Sequence, residues 1–288
     1  MASKVYFCRT ITAEKVLEMY KLLGKNLPGR VAIKVHSGEE GNQNFLRPDF
    51  WKPVVDYVGG TIVECNTAYA GARNTAEKHW KLFEKHGWSA CFPVDLLDAQ
   101  GPDMELSIPN GKVIHKNYVG KDMANYDSTL VLSHFKGHPM GGFGGALKQL
   151  SIGYASAYGK GYIHGSGNTE NFWKGDRDNF KRSMADAAMS VVEFFQGNAV
   201  YVNVMKNMSV DCDCCAVAED PCMQDIGILV SEDPIAIDQA CIDLVYHSDD
   251  PGKAKLIQRI ESRNGILTIE AAAELGFGSR EYELIEVE

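Results

Sequence analysis

The sequence predicts an α/β protein with a mostly parallel, doubly wound sheet arranged in two lobes. The chain opens with a strand, a helix and a second strand, at residues 4–8, 12–23 and 30–35. Parallel strands need such helical crossovers, and the same alternation continues to the carboxyl end. The 288 residues also suffice for a sizeable buried core.

The elements of the first half are marked by helix caps and apolar runs. Thr12 is a candidate N-cap and Gly24 a candidate stop for the first helix. A helix at residues 48–58 ends at Gly59, and residues 128–133 (STLVLS) form an apolar strand. The pattern also predicts strands at residues 61–65 and 94–97, a helix at 75–86 and an edge strand at 112–118.

The second half continues the alternation. Residues 180–195 repeat apolar side chains at helical spacing. Asp233 is a candidate N-cap for a helix at 234–246, with Pro234 at its first position. The remaining elements are strands at 200–205, 225–230 and 282–287 and helices at 256–263 and 269–275. We place the boundary near residue 170, which gives an N-terminal lobe at residues 1–170 and a C-terminal lobe at 171–288.

Composition and charge narrow the classes of molecule that the protein is expected to bind. The net charge is −9, and no run of Lys or Arg stands out, so we expect no nucleic-acid partner. No apolar stretch reaches the roughly 20 residues of a membrane helix, and the N-terminus lacks a secretory pattern. We therefore expect a cytoplasmic protein without a membrane partner, in which cysteines stay reduced. No disulfide is expected among the isolated cysteines Cys8, Cys65, Cys91 and Cys241.

A glycine-rich segment with His and Lys follows the strand at 128–133. Residues 133–153 read SHFKGHPMGGFGGALKQLSIG, and ligands of open α/β sheets bind where strands end. Imidazole and ammonium groups suit acid–base chemistry or a small anion, while glycines let the backbone approach a ligand. A surface loop with solvated charges is the alternative. The catalytic candidates are His134, Lys136 and His138, and the cofactor-binding candidates are Gly142, Gly144, Gly145 and Lys148.

Two further segments follow predicted strands and are expected at the same edge of the sheet. They begin at His36 (KVHSGEEGN) and at Asn66 (NTAYAGAR). Asn66 and Arg73 are cofactor-binding candidates, because an arginine can hold a carboxylate or phosphate through two hydrogen bonds. A pair of solvated loops is the alternative. His164, in the run GKGYIHGSG, is a metal-ligand candidate.

A cysteine cluster lies in the second half of the chain. Residues 211–215 read DCDCC, and such thiols can bind zinc, nickel, iron or an iron–sulfur cluster. The spacing matches neither a C-x₂-C zinc site nor a ferredoxin run. Cys212 and Cys214 are two apart and face one way on an extended chain, so they are the better ligand pair. Free thiols in a tight turn, or a redox pair without metal, are the alternatives.

Several blocks of the sequence resemble a known family. KVHSGEEGN, NTAYAGAR, HFKGH, GGFGGALKQLSIG, GKGYIH, DCDC and DIGILVSEDPIAIDQA resemble domain of unknown function 362, a family of uncharacterised iron–sulfur centre proteins. Many of its members carry a two-cluster ferredoxin segment after the GKGYIH block. Residues 165–173 of this chain contain no cysteine. The resemblance therefore leaves DCDCC as the candidate metal or cluster site.

A second, weaker resemblance is to the nickel-dependent lactate racemase family. Its motif has a His, the segment A-G-[FY]-S-G-G-x-K and a later His. Here His138, Phe143, Lys148 and His164 stand in that order, and Ala146 replaces a glycine. The resemblance implies that Lys148 anchors a nickel-containing nucleotide, that His164 ligates nickel and that His138 acts as an acid or base.

These patterns favour a metal-dependent enzyme with redox or proton-transfer chemistry in a cleft between the lobes, acting on a small anionic molecule. A non-catalytic metal or iron–sulfur carrier is the first alternative. A nucleotide- or phosphate-binding module without metal is the second. The substrate, the metal (Fe, Ni or Zn) and the oligomeric state stay open.

Overall fold

The computed structural model describes residues 2–168, 170, 172–173 and 175–288. The strands are β1 (Ser3–Cys8), β2 (Val31–Lys34), β3 (Thr61–Glu64), β4 (Val94–Leu96), β5 (Met104–Ser107), β6 (Lys116–Val119), β7 (Ser128–His134), β8 (Lys136–His138), β9 (Gly142–Gly144), β10 (Ala199–Met205), β11 (Gly227–Ser231) and β12 (Tyr282–Glu286). The helices are α1 (Ala13–Leu22), α2 (Pro48–Val58), α3 (Ala76–Lys85), α4 (Trp88–Cys91), α5 (Ala146–Lys148), α6 (Ala157–His164), α7 (Arg177–Phe194), α8 (Pro234–His247), α9 (Lys253–Ser262) and α10 (Leu267–Leu275). A π-helical turn, Gln149–Gly153, extends α5. Within the described residues, these helices lack the combination of length and apolar character that crossing a membrane requires.

Eight of the strands form one sheet in the order β12-β1-β11-β10-β7-β2-β3-β4. Neighbouring strands run parallel except at β11, which is antiparallel to β1 and β10. The carboxyl ends of the parallel strands therefore lie at one edge. The predicted α/β class with a mostly parallel sheet is confirmed.

Helices cover both faces of this sheet. Leu130 and Leu132 of β7 belong to the apolar layer that contains Trp51 of α2. Val131, between them, belongs to the opposite layer, which contains Ala188 of α7. Alternate residues of one strand thus enter two buried layers, which is the pattern of a doubly wound sheet.

Strands from both sides of residue 170 take part in the sheet. β10, β11 and β12 lie beyond that residue, and β11 joins β10 to β1 from the start of the chain. One continuous sheet thus contains strands of both predicted lobes. The division of the chain into lobes stays a prediction.

The predicted edge strand at residues 112–118 does not join the main sheet. Its carboxyl part belongs to β6, which pairs with β5 in a separate two-stranded sheet. The backbone N–H groups of Lys112, Val113 and Ile114 donate to the carboxylate of Asp186 at 2.8, 2.8 and 2.9 Å. These hydrogen bonds attach the segment to α7, so it is not available for strand pairing.

The glycine-rich run at residues 159–167 begins as a helix and not as a loop. Ser156 caps α6 by accepting a hydrogen bond from the N–H of Gly159 at 3.0 Å. A side chain at Gly159 would collide with the carbonyl of Tyr118. Glycine is thus required here for close packing, although it is a poor helix former. As a result, His164 is the last residue of a helix.

Candidate functional site

A cavity of about 340 Å³ lies at the carboxyl edge of the sheet. Its volume is in the range of small-molecule sites. The cationic side chains that line it are Lys34, Arg73, Lys148 and Lys160, and Glu64 is the acid among its described lining residues. His36, His138, His164 and Cys214 also line it. The lining therefore carries an excess of positive charge together with three imidazoles and a thiol.

Lys148 is positioned by a buried carboxylate on a distant helix. Asp238 of α8 accepts hydrogen bonds from the backbone N–H groups of Ala146 (2.8 Å) and Leu147 (2.9 Å). A Cβ at Gly145 would collide with this carboxylate. Burial raises the pKa of Asp238 to about 6, although these donors oppose the shift. Asp238 thus caps α5 and fixes the short helix that brings Lys148 to the cavity.

The DCDCC segment forms a tight turn, which the N–H of Cys215 closes by donating to the carbonyl of Cys212 at 2.9 Å. The turn also accepts hydrogen bonds from the loops that follow β2 and β3. The donors are the N–H of Glu39 to the carbonyl of Asp213 (2.8 Å), Asn42 to Cys215 (2.9 Å) and the hydroxyl of Tyr69 to Cys214 (3.3 Å). The loops after two neighbouring strands therefore place the cysteines beside the cavity.

Cys212, Cys214 and His138 bring their ligand atoms within 4.8 Å of one another. The turn, and not an extended chain as the spacing argument assumed, brings the two sulfur atoms together, and the ammonium group of Lys148 lies 3.6 Å from Sγ of Cys212. A hydrogen bond with Cys214 and burial raise the pKa of the Cys212 thiol, whereas Lys148 lowers it. Two thiols on one side fit a single metal ion that prefers soft ligands, since such an ion displaces thiol protons.

Backbone hydrogen bonds fix the tautomer of His138. The N–H groups of Met140 and Gly141 donate to its Nδ1 at 3.2 and 2.8 Å. Nδ1 is therefore unprotonated, and the neutral ring carries its proton on Nε2, 3.8 Å from Sγ of Cys214. Burial, with a contribution from Lys148, holds the pKa of His138 well below its usual range. His138 thus offers a proton to the cavity, and its Nε2 has no lone pair for a metal.

His164 has the opposite tautomer. Its Nδ1–H donates to the carbonyl of Lys160 at 2.7 Å, and its ring stacks on Phe180 with centroids 4.4 Å apart. Burial lowers the pKa of His164 to about 4, so the ring is neutral near pH 7 and Nε2 carries a lone pair. Basic and metal-ligating histidines have this arrangement.

His36 resembles His138 in its hydrogen bonding. The N–H of Gly38 donates to Nδ1 of His36 at 3.1 Å. The neutral ring therefore carries its proton on Nε2. Burial and the nearby Arg73 hold the pKa of His36 well below its usual range. His36 is thus a second neutral N–H donor in the lining of the cavity.

His134 and Lys136 lie behind the cysteine turn and are absent from the described lining of the cavity. Nδ1 of His134 lies 2.9 Å from Oδ1 of Asp213, and its Nε2 lies 2.5 Å from the carbonyl of Lys206. Lys136 lies 2.7 Å from the same carboxylate. Burial alone would raise the pKa of Asp213, but His134 and Lys136 hold it well below its usual range. His134 and Lys136 thus position Asp213, the residue between Cys212 and Cys214.

Asn66 and Arg73 lie in the loop after β3. Asn66 donates to Asp98 through its backbone N–H (2.8 Å) and side-chain amide (3.0 Å), and it is absent from the described lining. Arg73 does line the cavity. Its guanidinium is already bonded to Glu39 (3.1 Å) and to the hydroxyl of Tyr69 (2.8 Å). Arg73 therefore orders the loops around the turn while it adds positive charge to the cavity.

The glycines of the hairpin between β8 and β9 are packing positions in this structure. Gly142 has a φ of 85°, and a Cβ there would lie 2.8 Å from the Cα of Gly265. A Cβ at Gly144 would lie 3.4 Å from the Cδ of Lys148. Gly142, Gly144 and Gly145 are absent from the described lining of the cavity. They allow the hairpin to pack closely against α5, α8 and the segment after α9.

A buried ion pair, which sequence reasoning missed, closes the inner end of the cavity. Lys34 lies 2.7 Å from Glu64, and both side chains are almost fully buried. Arg73 lies 3.8 Å from Glu64. Burial alone would raise the pKa of Glu64, but Lys34 and Arg73 lower it to about 2. The sequence did contain a signal for this pair, because the apolar strands VAIK and TIVE each end in a charged residue, Lys34 and Glu64.

Glu64→Gln is expected to destabilise the protein by about 3 kcal/mol near neutral pH, because it leaves two buried cations unpaired. The pKa of Glu64 is lowered from 4.5 to about 2. Its stabilising contribution is therefore present above pH 4.5 and is lost as the pH falls through 2. Urea unfolding at several pH values measures this effect. Glu77→Gln, which removes an exposed ion pair with Lys81, is the control and should cost less than about 1 kcal/mol. Equal effects of the two substitutions would contradict the prediction.

Comparisons with known proteins give a family and two distant structural neighbours. A search of curated proteins found no match. The lactate racemase apoprotein of Thermoanaerobacterium thermosaccharolyticum is 14% identical, with a TM-score of 0.45, over 69% of this chain and 50% of that one. A structural-genomics protein from Thermotoga maritima is 12% identical, with a TM-score of 0.42, over 91% of this chain and 59% of that one. This chain thus spans 50% to 59% of the length of these neighbours.

The family model covers most of the chain. The model for domain of unknown function 362 matches residues 31–243. The match includes β2, the cavity, the cysteine turn and most of α8. The protein therefore belongs to the family named domain of unknown function 362.

Proposed function

We propose that this protein is a metal-dependent enzyme that moves a proton to or from a small anionic molecule. The observation that carries the proposal is the pair of opposite tautomers in one cavity. His138 presents Nε2–H, whereas His164 presents an Nε2 lone pair. Both rings line the cavity and both are neutral near pH 7 because burial lowers their pKa values. A neutral base and a neutral N–H donor in one cavity suit removal of a proton from carbon, because the donor stabilises the negative charge that the base creates.

The excess of positive charge supports an anionic substrate. Lys160 donates to the carbonyls of Ala155 (2.6 Å) and Cys65 (3.5 Å), and Lys148 donates to Sγ of Cys212 (3.6 Å), so each ammonium group, with three N–H bonds, keeps a donor for the cavity. A carboxylate held by these ammonium groups would leave its neighbouring carbon beside the histidines. In that position His164 accepts the proton from carbon and returns it, or a deuteron from solvent, to the same carbon, while the Nε2–H of His138 donates a hydrogen bond to the substrate oxygen on which negative charge develops.

Cys212 and Cys214 are the residues that would hold the metal. Their two thiolates suit a zinc, nickel or iron ion, and the ion would polarise the substrate to make its proton more acidic. A four-iron cluster would need more cysteine ligands than the group within 4.8 Å supplies. His164 lies outside this group, so we assign it the role of base rather than ligand. Thiolate ligands require a reducing compartment, which favours the cytoplasm.

A metal or iron–sulfur carrier is the second candidate function. One observation favours it: Cys214 and Cys215 are only partly buried, unlike Cys212. An accessible thiolate can pass a metal to a partner. Such a protein would bind metal at the turn but would not need the paired tautomers of His138 and His164.

Exchange of carbon-bound protons with solvent tests the proposal that the protein is an enzyme. Anaerobically purified protein, with its metal measured, is incubated in D₂O with small 2-hydroxy and 2-oxo carboxylates. We expect loss of a C–H signal by NMR that depends on both protein and metal. Metal binding without exchange for any of these acids would favour the carrier. Anion binding without metal would favour a phosphate- or nucleotide-binding module.

A further inference from the structure

A second cavity, of about 180 Å³, adjoins the first at His164. Pro139, Met140, His164 and Trp173 line both cavities, so the two are adjacent. The second cavity contains neither the cysteines nor the lysines of the first among its described lining. The charged side chains that line the second cavity therefore differ from those of the first.

Two arginines supply the charge of this second cavity. Arg263 follows α9, and its Nε donates to the carbonyl of Pro139 at 2.6 Å. That bond orients the guanidinium, and its two terminal nitrogens have no acceptor among the described residues. Arg177 is exposed, and its side chain has no hydrogen bond or ion pair with a described residue. Two available guanidinium groups beside one cavity are suited to a carboxylate or phosphate.

The acids next to Arg177 in sequence are engaged elsewhere. Asp176 caps α7 by accepting hydrogen bonds from two backbone N–H groups at 3.0 and 2.8 Å. Asp178 accepts a hydrogen bond from the side chain of Asn264 at 3.1 Å. No carboxylate is among the described residues that line the second cavity. Its positive charge is therefore not neutralised from within the site.

We propose that Arg177 and Arg263 form an outer anion subsite, so that the ligand carries two anionic groups, one in each of the two cavities that meet at His164. The inner group binds to the lysines of the first cavity, and the outer group binds to the arginines. Trp173, which lines both cavities, and Phe180, which lines the second, both contact the ring of His164 and supply apolar surface for the part of the ligand that joins the two groups. This inference rests on the cavity of the proposed function and specifies its ligand as a dianion with carboxylate or phosphate ends.

Matched probes of one and two charges test the subsite. Calorimetry compares succinate, glutarate, adipate and pimelate with the monocarboxylates of equal chain length, and phosphonocarboxylates distinguish phosphate from carboxylate at the outer end. We expect at least one dianion to bind about tenfold more tightly than its monoanion, since a charge-assisted bond contributes that much. No preference for dianions of either kind would overturn the proposal. Binding is measured without turnover, so the subsite can hold even if proton exchange fails.

Variants of the two arginines test whether these residues cause the preference for dianions. Arg177→Gln and Arg263→Gln should each reduce the advantage of the dianion and leave the binding of the monoanion unchanged. The side chain of Arg177 bonds to none of the described residues, and its carbonyl, which accepts from Lys181, is kept in the variant, so Arg177→Gln remains informative if Arg263→Gln unfolds. Arg182→Gln, on the same helix and paired with Glu274, is the control and should keep the preference. A preference that survives in Arg177→Gln and Arg263→Gln would overturn the assignment.

Discussion

Replacing both Cys212 and Cys214 with serine is expected to abolish retention of a transition metal by the purified protein. Thiolates are the soft ligands of the site, and serine hydroxyls stay protonated and bind such metals poorly. A bound metal in a sulfur-rich site contributes roughly 10–16 kcal/mol, so the loss of two ligands should weaken binding by on the order of 10⁴-fold or more. Elemental analysis after anaerobic purification, with a competing chelator titrated in, measures the change.

The matched control replaces Cys91 and Cys222 with serine. Both are partly exposed and lie outside the group formed by Cys212, Cys214 and His138. This control should retain the metal content of the parent protein. If the Cys212/Cys214 variant also kept its metal while folded, the metal site would lie elsewhere in the chain.

His138→Ala is expected to reduce the rate of carbon-bound proton exchange by about 10²–10³-fold, the usual cost of losing a donor that stabilises developing negative charge. Alanine removes the Nε2–H donor, and it also removes the acceptor for the backbone N–H groups of Met140 and Gly141. Some loss of stability is therefore expected, and exchange is compared in the folded protein. The exchange rate in D₂O and the melting temperature are measured on the same sample.

Two further variants test whether the effect on exchange is specific to the histidines of the cavity. His164→Gln should also slow exchange, because it removes the lone pair that accepts the proton. His115→Gln alters an exposed histidine away from the cavity lining and should leave the rate unchanged. Strong destabilisation by both cavity variants, with exchange preserved in the folded fraction, would make His138 and His164 structural residues and would favour the carrier.

The regular part of the fold was largely predictable from sequence periodicity. Helix α2 has its predicted bounds, and β2 lies one residue inside the predicted strand at each end. The antiparallel direction of β11 was not predictable, because an apolar run gives no information on the direction of its neighbours. Helix α6 was missed because its glycines argue against a helix, whereas close contact with Tyr118 requires them.

The pairing of Cys212 and Cys214 as ligands was based on their local spacing, since residues two apart on an extended chain face one way. Their sulfur atoms do lie close together, but a turn closed by Cys215 brings them there, and their role as ligands stays a prediction. His134 was assigned to catalysis because it ends a strand, but its partner is Asp213, 79 positions away. The tautomers of His138 and His164 depend on which backbone groups reach their rings, and no pattern in the sequence encodes that geometry.

The hydrogen bonds that hold the cysteine turn have a consequence for how a metal ion would bind there. Tyr69 donates a hydrogen bond to the turn from 145 positions away, and Asn42 donates one from 173 positions away. The turn that holds Cys212 and Cys214 is therefore shaped by distant parts of the chain, unlike a zinc finger, whose ion organises a local segment. Under the proposed function, the ion would enter a site that the protein has already shaped. Such a site would discriminate among competing ions by coordination geometry rather than by their intrinsic order of affinity.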